Sequence, residues 1–232
     1  MEFSLLGAVL VAVVAVWAVL RFEAGRTNAA DCSRDLWDAL LLAGIVGLAV
    51  GRVVAMLRDG TNPITTPGDL LIVRSGVDTA GASAAALLTF GWTMRRALWW
   101  MADAAAAAAL AGLAGWHAGC LVRESACLGT PTDLPWALTQ AGSPVGRHPV
   151  ELYAALLLAL AAVGFVLWKR FARPPAGVLG SLAIAVAAGS RLATEPMRPS
   201  LGSGPVWLYA AGLVAGVGLA GWRWLRPAVV RT

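Results

Sequence analysis

Arg191, Glu195 and Arg198 follow the apolar run Val178 to Gly189 with no loop signal between. An Arg and a Glu four residues apart share one helix face, and this face lies at membrane depth. Isolated charges there cost about 2.5 to 3.5 kcal/mol each on insertion scales, so they are expected to face a polar cavity. A guanidinium offers a planar fork of donors that matches the oxygens of a phosphate. Glu195 can orient Arg191 or keep the pair nearly neutral while the site is empty. The competing reading is an intramembrane ion pair that serves packing alone.

A second group is Gly146-Arg147-His148-Pro149-Val150-Glu151-Leu152-Tyr153. Pro149 suits the first turn of a helix, and Glu151 two residues later favours the positive helix N-terminus. This puts His148 at the cap and Tyr153 one turn inside. His148 is one of two histidines in the chain, and a histidine carries protons near neutral pH. A plain helix start with an interfacial Tyr fits the same residues. Arg52, after Gly51, either snorkels to the interface or contacts a phosphate. His117 and Trp116 end another apolar run in the same layer, where His117 reads more simply as an interfacial residue than as a base.

The elements that must position these residues are apolar. The chain has 232 residues, 59% hydrophobic, with a mean hydropathy of +0.72, too few polar residues to cover a soluble domain. Apolar runs recur near 3–20, 37–57, 77–94, 98–119, 149–168, 176–190 and 205–221, most near the roughly 20 residues of a spanning helix. They are continuous rather than alternating, which excludes a barrel. The expectation is an all-α, polytopic protein with seven transmembrane helices, or six if 176–190 is re-entrant. The first run carries Glu2 and no basic flank, so it reads as a spanning helix and not as a removable signal peptide.

Sidedness follows from the basic residues. The connections after helices one, three, five and seven hold eleven of the eighteen: Arg21, Arg26, Arg34, Arg95, Arg96, Lys169, Arg170, Arg173, Arg223, Arg226 and Arg231. Short, densely basic connections are cytoplasmic, so the N-terminus is expected outside and the C-terminus inside. Trp92, Trp99, Trp100, Trp168, Trp222 and Trp224 then form an inner interfacial belt. The pI near 9.9 reflects topology and anionic headgroups. No soluble basic face exists for nucleic acid. The connections at 58–76, 120–148 and 191–205 fall outside, so the chemistry is expected at the outer leaflet.

No linker divides the chain, so 1–232 reads as one transmembrane domain with an outer-surface loop at 120–148, whose Pro residues and Trp136 suggest a lid on the membrane. Gly, Ala and Ser in the third, fourth and sixth helices permit close packing, as does Ala102 to Ala109 with Asp103 inside it. Cys120 and Cys127 either pair or remain thiols, since spacing alone does not decide. No Cys/His cluster is present, and neither a metal site nor a cofactor is expected.

Together these segments resemble prolipoprotein diacylglyceryl transferases. His148-Pro149-Val150-Glu151-Leu152-Tyr153 is similar to that family's H-P-x-x-L-Y element, and Arg191 to Arg198 to its R-x-x-x-E-x-x-R element. Gly51-Arg52 and Pro131-Thr132-Asp133-Leu134-Pro135-Trp136-Ala137 match two further stretches, collinear from about residue 37 to 205. Departures are also present. Ala80 stands where the family's third-helix His is expected, Ala154 where a Glu follows the Tyr, and the signature Arg is Trp116 or His117 depending on a one-residue gap.

The resemblance implies a multi-pass enzyme of the bacterial plasma (inner) membrane that moves a diacylglyceryl group from phosphatidylglycerol, or a similar anionic phospholipid, to the lipobox cysteine of a secreted precursor. It implies that Arg191 binds the lipid phosphate with Arg52 nearby; Arg198 and His117 are expected among the substrate-binding residues. Glu195 would orient Arg191, Tyr153 would bond the headgroup, and His148 would be the base or a positioning group. Two other readings compete: a transferase with a different acceptor, and a non-catalytic phospholipid-binding or scaffolding paralogue. An ion-coupled transporter ranks last, because the charges gather at one end rather than at the bilayer midplane.

Overall fold

The structure, a computed structural model, describes residues 4–24, 30–70, 76–122, 127–140, 142–198 and 205–226. Among these residues are seven α-helices: α1 Ser4–Ala24, α2 Ala30–Arg58, α3 Thr79–Thr93, α4 Leu98–Ala118, α5 Val150–Phe171, α6 Val178–Thr194 and α7 Val206–Leu225. Five stretches of the described residues are long and apolar enough to cross a membrane: Leu36–Arg58, Leu98–Leu121, Val150–Phe171, Val178–Met197 and Val206–Leu225. The 176–190 run is thus part of a helix of spanning length, continued by a 3-10 turn over Glu195–Met197. The short 77–94 run becomes α3, of 15 residues.

α4 is the centre of the bundle, and its sequence explains why. Ala106, Ala107, Leu110 and Ala114 are buried against Leu158, Ala162 and Phe165 of α5 and Leu179 of α6, while Ala105 and Ala108 are buried with Leu20 of α1 and Leu36 of α2. Without a hydrophobic effect to drive helices together in lipid, small residues and close van der Waals packing must do so. Gly112, Gly115 and Gly119 provide that contact with α1. A Cβ at Gly115 would lie 2.8 Å from the Val11 carbonyl oxygen, and one at Gly119 would lie 2.4 Å from Ala8 Cα.

α5 shows the complementary pattern. Leu158, Ala162 and Phe165 face inward, whereas Leu156, Leu160, Val163 and Leu167 are exposed. A helix apolar on both faces, with one face uncovered, suits contact with lipid.

Asp103 has a structural use inside the alanine-rich stretch. Its carboxylate accepts hydrogen bonds from the Gly177 and Gly180 backbone N–H groups at 2.6 and 2.7 Å. It thereby satisfies donors at the start of α6, where the capping residue Gly177 offers no side chain. At the same end Lys169 Nζ bonds Glu23 Oε1 at 3.0 Å, and Arg223 Nε donates to the Ala176 carbonyl at 2.7 Å. The Arg223 guanidinium also lies 4.7 Å from the Trp99 ring centre.

The all-α expectation needs one correction. Between α4 and α5 the chain forms a three-stranded antiparallel sheet of β1 Leu128–Pro131, β2 Leu138–Thr139 and β3 Gly146–Pro149, in the order β1-β3-β2. Strands of two to four residues are too short to carry an alternating pattern, so hydropathy could not reveal them. Cys120, in the 3-10 turn Gly119–Val122, is disulfide-bonded to Cys127, one residue before β1. The bond ties the end of α4 to this β-arm.

Candidate functional site

Glu151 is the second residue of α5, where the exposed N–H groups of the first turn favour a negative charge. It also organises the site. Its Oε2 lies 2.5 Å from Nδ1 of His117, in the last turn of α4. The same oxygen lies 3.6 Å from Nη1 of Arg191, in the last turn of α6. Its Oε1 accepts a hydrogen bond from Nη2 of Arg198, just past the 3-10 turn that continues α6. Three helix ends therefore meet at one carboxylate.

The cluster is largely shielded from solvent, with Arg198, its side chain 26% exposed, the most open member. His117 is 6% exposed, and the Arg191 and Glu195 side chains are 17% and 10% exposed. Arg198 Nε lies 4.0 Å from Glu195 Oε2, so Arg198 stands between two carboxylates. Two arginines and two glutamates balance in formal charge, which limits the cost of burying them.

The balance of hydrogen bonds is less complete. Arg191 Nη1 and Arg198 Nε are buried and make no hydrogen bond among the described residues. Nor does the hydroxyl of Tyr209, a buried residue of α7 whose ring centre is 5.8 Å from the Arg191 guanidinium carbon. Buried donors in native proteins are normally paired. Arg191 Nη1 and Arg198 Nε have carboxylate oxygens at ion-pair distance, 3.6 and 4.0 Å, but their N–H groups and the Tyr209 hydroxyl keep hydrogen-bonding capacity among the described residues that suits an oxygen-rich anion.

His148 and Tyr153 form a neighbouring pair. Tyr153 lies on α5 directly after Leu152, and its hydroxyl accepts a hydrogen bond from Trp136 Nε1 at 2.8 Å. His148 Nδ1 is 3.4 Å from the same oxygen. His148 does not cap α5 as the sequence suggested. It lies on β3, and Pro149 is itself the cap. Pairing of Pro149 with Leu128 keeps the chain extended up to the helix, and a residue before proline already disfavours helical geometry.

Arg52 is buried on α2, and it holds backbone: Nη1 donates to the Gly76 carbonyl and Nη2 to the Asp69 carbonyl, each at 2.5 Å. It fastens the connection between α2 and α3. Asp78 reinforces that connection by capping α3 through the Gly81 N–H at 2.7 Å and pairing with Arg58. Among the described residues no group of three His, Cys, Asp or Glu side chains is placed to hold a metal ion.

Of the residues singled out from sequence, His117, Arg191, Glu195 and Arg198 come together, and His148 and Tyr153 sit beside each other on the same end of α5. Glu151, Tyr209 and Trp136 are the members that sequence reasoning underrated. Glu151 reads as a helix-start acid because its partners are 34, 40 and 47 residues away, a separation without local signal. Tyr209 carried one available sign, since it is one of two tyrosines in the chain.

A family model described as Prolipoprotein diacylglyceryl transferase matches residues 4–226. A protein of Nitratidesulfovibrio vulgaris (strain DSM 19637 / Miyazaki F), named Phosphatidylglycerol--prolipoprotein diacylglyceryl transferase, is 37% identical over 78 residues. That alignment covers 32% of this chain and 29% of the relative, so the similarity spans under a third of the relative's length.

Proposed function

The chain belongs to the prolipoprotein diacylglyceryl transferase family, and from that premise we propose that it moves a diacylglyceryl group from phosphatidylglycerol to a cysteine thiol of a lipoprotein precursor. The observation that carries the proposal is the pair of buried arginine nitrogens, Arg191 Nη1 and Arg198 Nε, which make no hydrogen bond among the described residues, near the Tyr209 hydroxyl. These are donors of the kind a phosphodiester would accept from, in a site dry enough for electrostatics to count.

The chemistry has two demands. The sulfur must lose its proton before it attacks the glyceryl carbon, and the oxygen of the breaking C–O bond must leave as part of glycerol phosphate. Arg191 and Arg198 stabilise the departing phosphate, a contribution of about 3 to 4 kcal/mol per donor where such donors are preorganised. Glu195 and Glu151 hold the guanidinium groups in place. Tyr153 bonds the headgroup, with Trp136 fixing its hydroxyl and His148 alongside. Arg52 supports the site by anchoring the α2–α3 connection. His117 and His148 are the two histidines on hand to take the thiol proton.

In this reading the chain is one domain of seven crossings in the bacterial plasma membrane, with its N-terminus outside, its C-terminus in the cytoplasm and the β-arm on the outer face. Eleven basic residues in alternate connections and the helix ends that flank them support that orientation. A non-catalytic phospholipid binder would need the arginines but not a buried histidine on a carboxylate, so the enzymatic reading is preferred.

Purified protein in detergent, supplied with phosphatidylglycerol and a lipobox peptide bearing one Cys, should add one diacylglyceryl unit to the peptide and release glycerol phosphate. Release without peptide modification would indicate a different acceptor. Neither product, with lipid still bound, would replace the enzyme by a binder.

A further inference from the structure

We propose that His117 and Glu151 form a carboxylate–imidazole pair in which His117 takes the proton of the acceptor thiol and Glu151 positions it. The inference rests on the transferase reading of the same site and assigns its base.

The two histidines differ in what holds them. His148 has a phenolic oxygen 3.4 Å from Nδ1, and that oxygen already accepts from Trp136. His117 has a carboxylate oxygen 2.5 Å from Nδ1 and is buried at the end of α4. An Nδ1–H that donates to a carboxylate fixes the tautomer, leaves the ring's basic lone pair on Nε2, and stabilises the imidazolium once it forms. This is the relation of base to orienting carboxylate that activates nucleophiles elsewhere.

Position favours His117 too. Its partner oxygen, Glu151 Oε2, is the one 3.6 Å from Arg191 Nη1, so the carboxylate that holds the imidazole through Nδ1 also contacts the anion-binding guanidinium. Charge also balances during the step. The thiol proton passes to Nε2, the sulfur's electron pair forms the S–C bond, and the C–O bond breaks with its electrons going to the phosphate oxygen. The positive charge gained by His117 is met by the Glu151 carboxylate, the negative charge gained by the leaving phosphate by Arg191, and the proton is released to solvent or to that phosphate afterwards.

The test compares wild type, His117→Gln and Glu151→Gln with two peptides, one bearing Cys and one bearing selenocysteine, whose selenol ionises without help. His117→Gln should lower transfer to Cys by about 10²- to 10⁴-fold and transfer to selenocysteine by less than about tenfold. Glu151→Gln should show the same selectivity at smaller size. Transfer to Cys within threefold of wild type in His117→Gln, or equal losses for both peptides, would overturn the assignment. In parallel, ring-nitrogen NMR of the full chain should show the His117 imidazole gaining protonation when the Cys peptide is added and not with a Ser peptide. An unchanged His117 signal would overturn the pair even if no transfer occurred. Wild type that transfers to neither peptide would instead refute the proposed function.

Discussion

Trp136 on the β-arm donates its indole N–H to the hydroxyl of Tyr153 on α5 at 2.8 Å. The contact latches the arm over the helix end that also carries Glu151, and it fixes the rotation of the phenol. Trp136→Phe keeps the ring and removes the donor. A neutral hydrogen bond contributes about 0.5 to 1.5 kcal/mol, so KM for phosphatidylglycerol should rise about two- to tenfold with kcat little changed. Steady-state kinetics decide this, and a fall in kcat alone would show that the latch serves the chemical step.

Removing the central carboxylate should be costly. Glu151→Ala leaves Arg198 and Arg191 without their shared counter-charge; breaking a fully buried pair from one side costs about 3 to 5 kcal/mol, and these partly exposed groups, with Glu195 still near Arg198, should lose less than that. Thermal unfolding in detergent should register it. The double variant Glu151→Ala/Arg198→Ala should lose less than the sum of the two single changes, because neither leaves the other stranded.

Arg191→Ala should weaken phosphatidylglycerol binding by roughly 10- to 100-fold, the equivalent of one charged hydrogen bond of about 1.5 to 3 kcal/mol. The protein should remain inserted and folded, since Arg191 ends α6 rather than packing its middle. Lipid binding at the wild-type level would remove the phosphate site from Arg191.

The contact of α1 with α4 makes a different kind of prediction. Gly115→Val and Gly119→Val place side chains into the backbone of α1, and overpacking costs about 1 to 3 kcal/mol or more. Both should cut the yield of folded protein, whereas Gly44→Val on α2, with nothing within 4 Å, should not. Gel filtration of detergent extracts reads the difference.

How legible these features are in the sequence depends on range. The helices declare themselves through apolar runs, and Arg191, Glu195 and Arg198 stand out because charge at membrane depth is costly and needs a reason, whether a polar site or an ion pair. The role of Glu151 does not, because its contacts with His117 and Arg198 are made by helices distant in sequence. Arg52 shows the opposite difficulty. Its type suggests an anion, but the carbonyls of Gly76 and Asp69 occupy its terminal nitrogens, and carbonyls in a connecting loop leave no signature in residue type. The β-arm escapes notice because its strands are held in place by a hairpin, a cystine and the α5 start rather than by a hydrophobic alternation.

The cystine joining Cys120 to Cys127 closes a ring of about eight residues, for which chain-entropy arguments give about 2 to 3 kcal/mol. Its larger meaning concerns biogenesis. A thiol pair oxidises only where the cell supplies an oxidant, so under the proposed orientation, with the β-arm on the outer face, the arm would acquire its final shape only after the end of α4 had been translocated. Made under reducing conditions, the protein would insert with the arm unfastened. Alkylation of Cys120 and Cys127 by a membrane-impermeant reagent, before and after adding a reductant, would then report maturation and sidedness in one measurement.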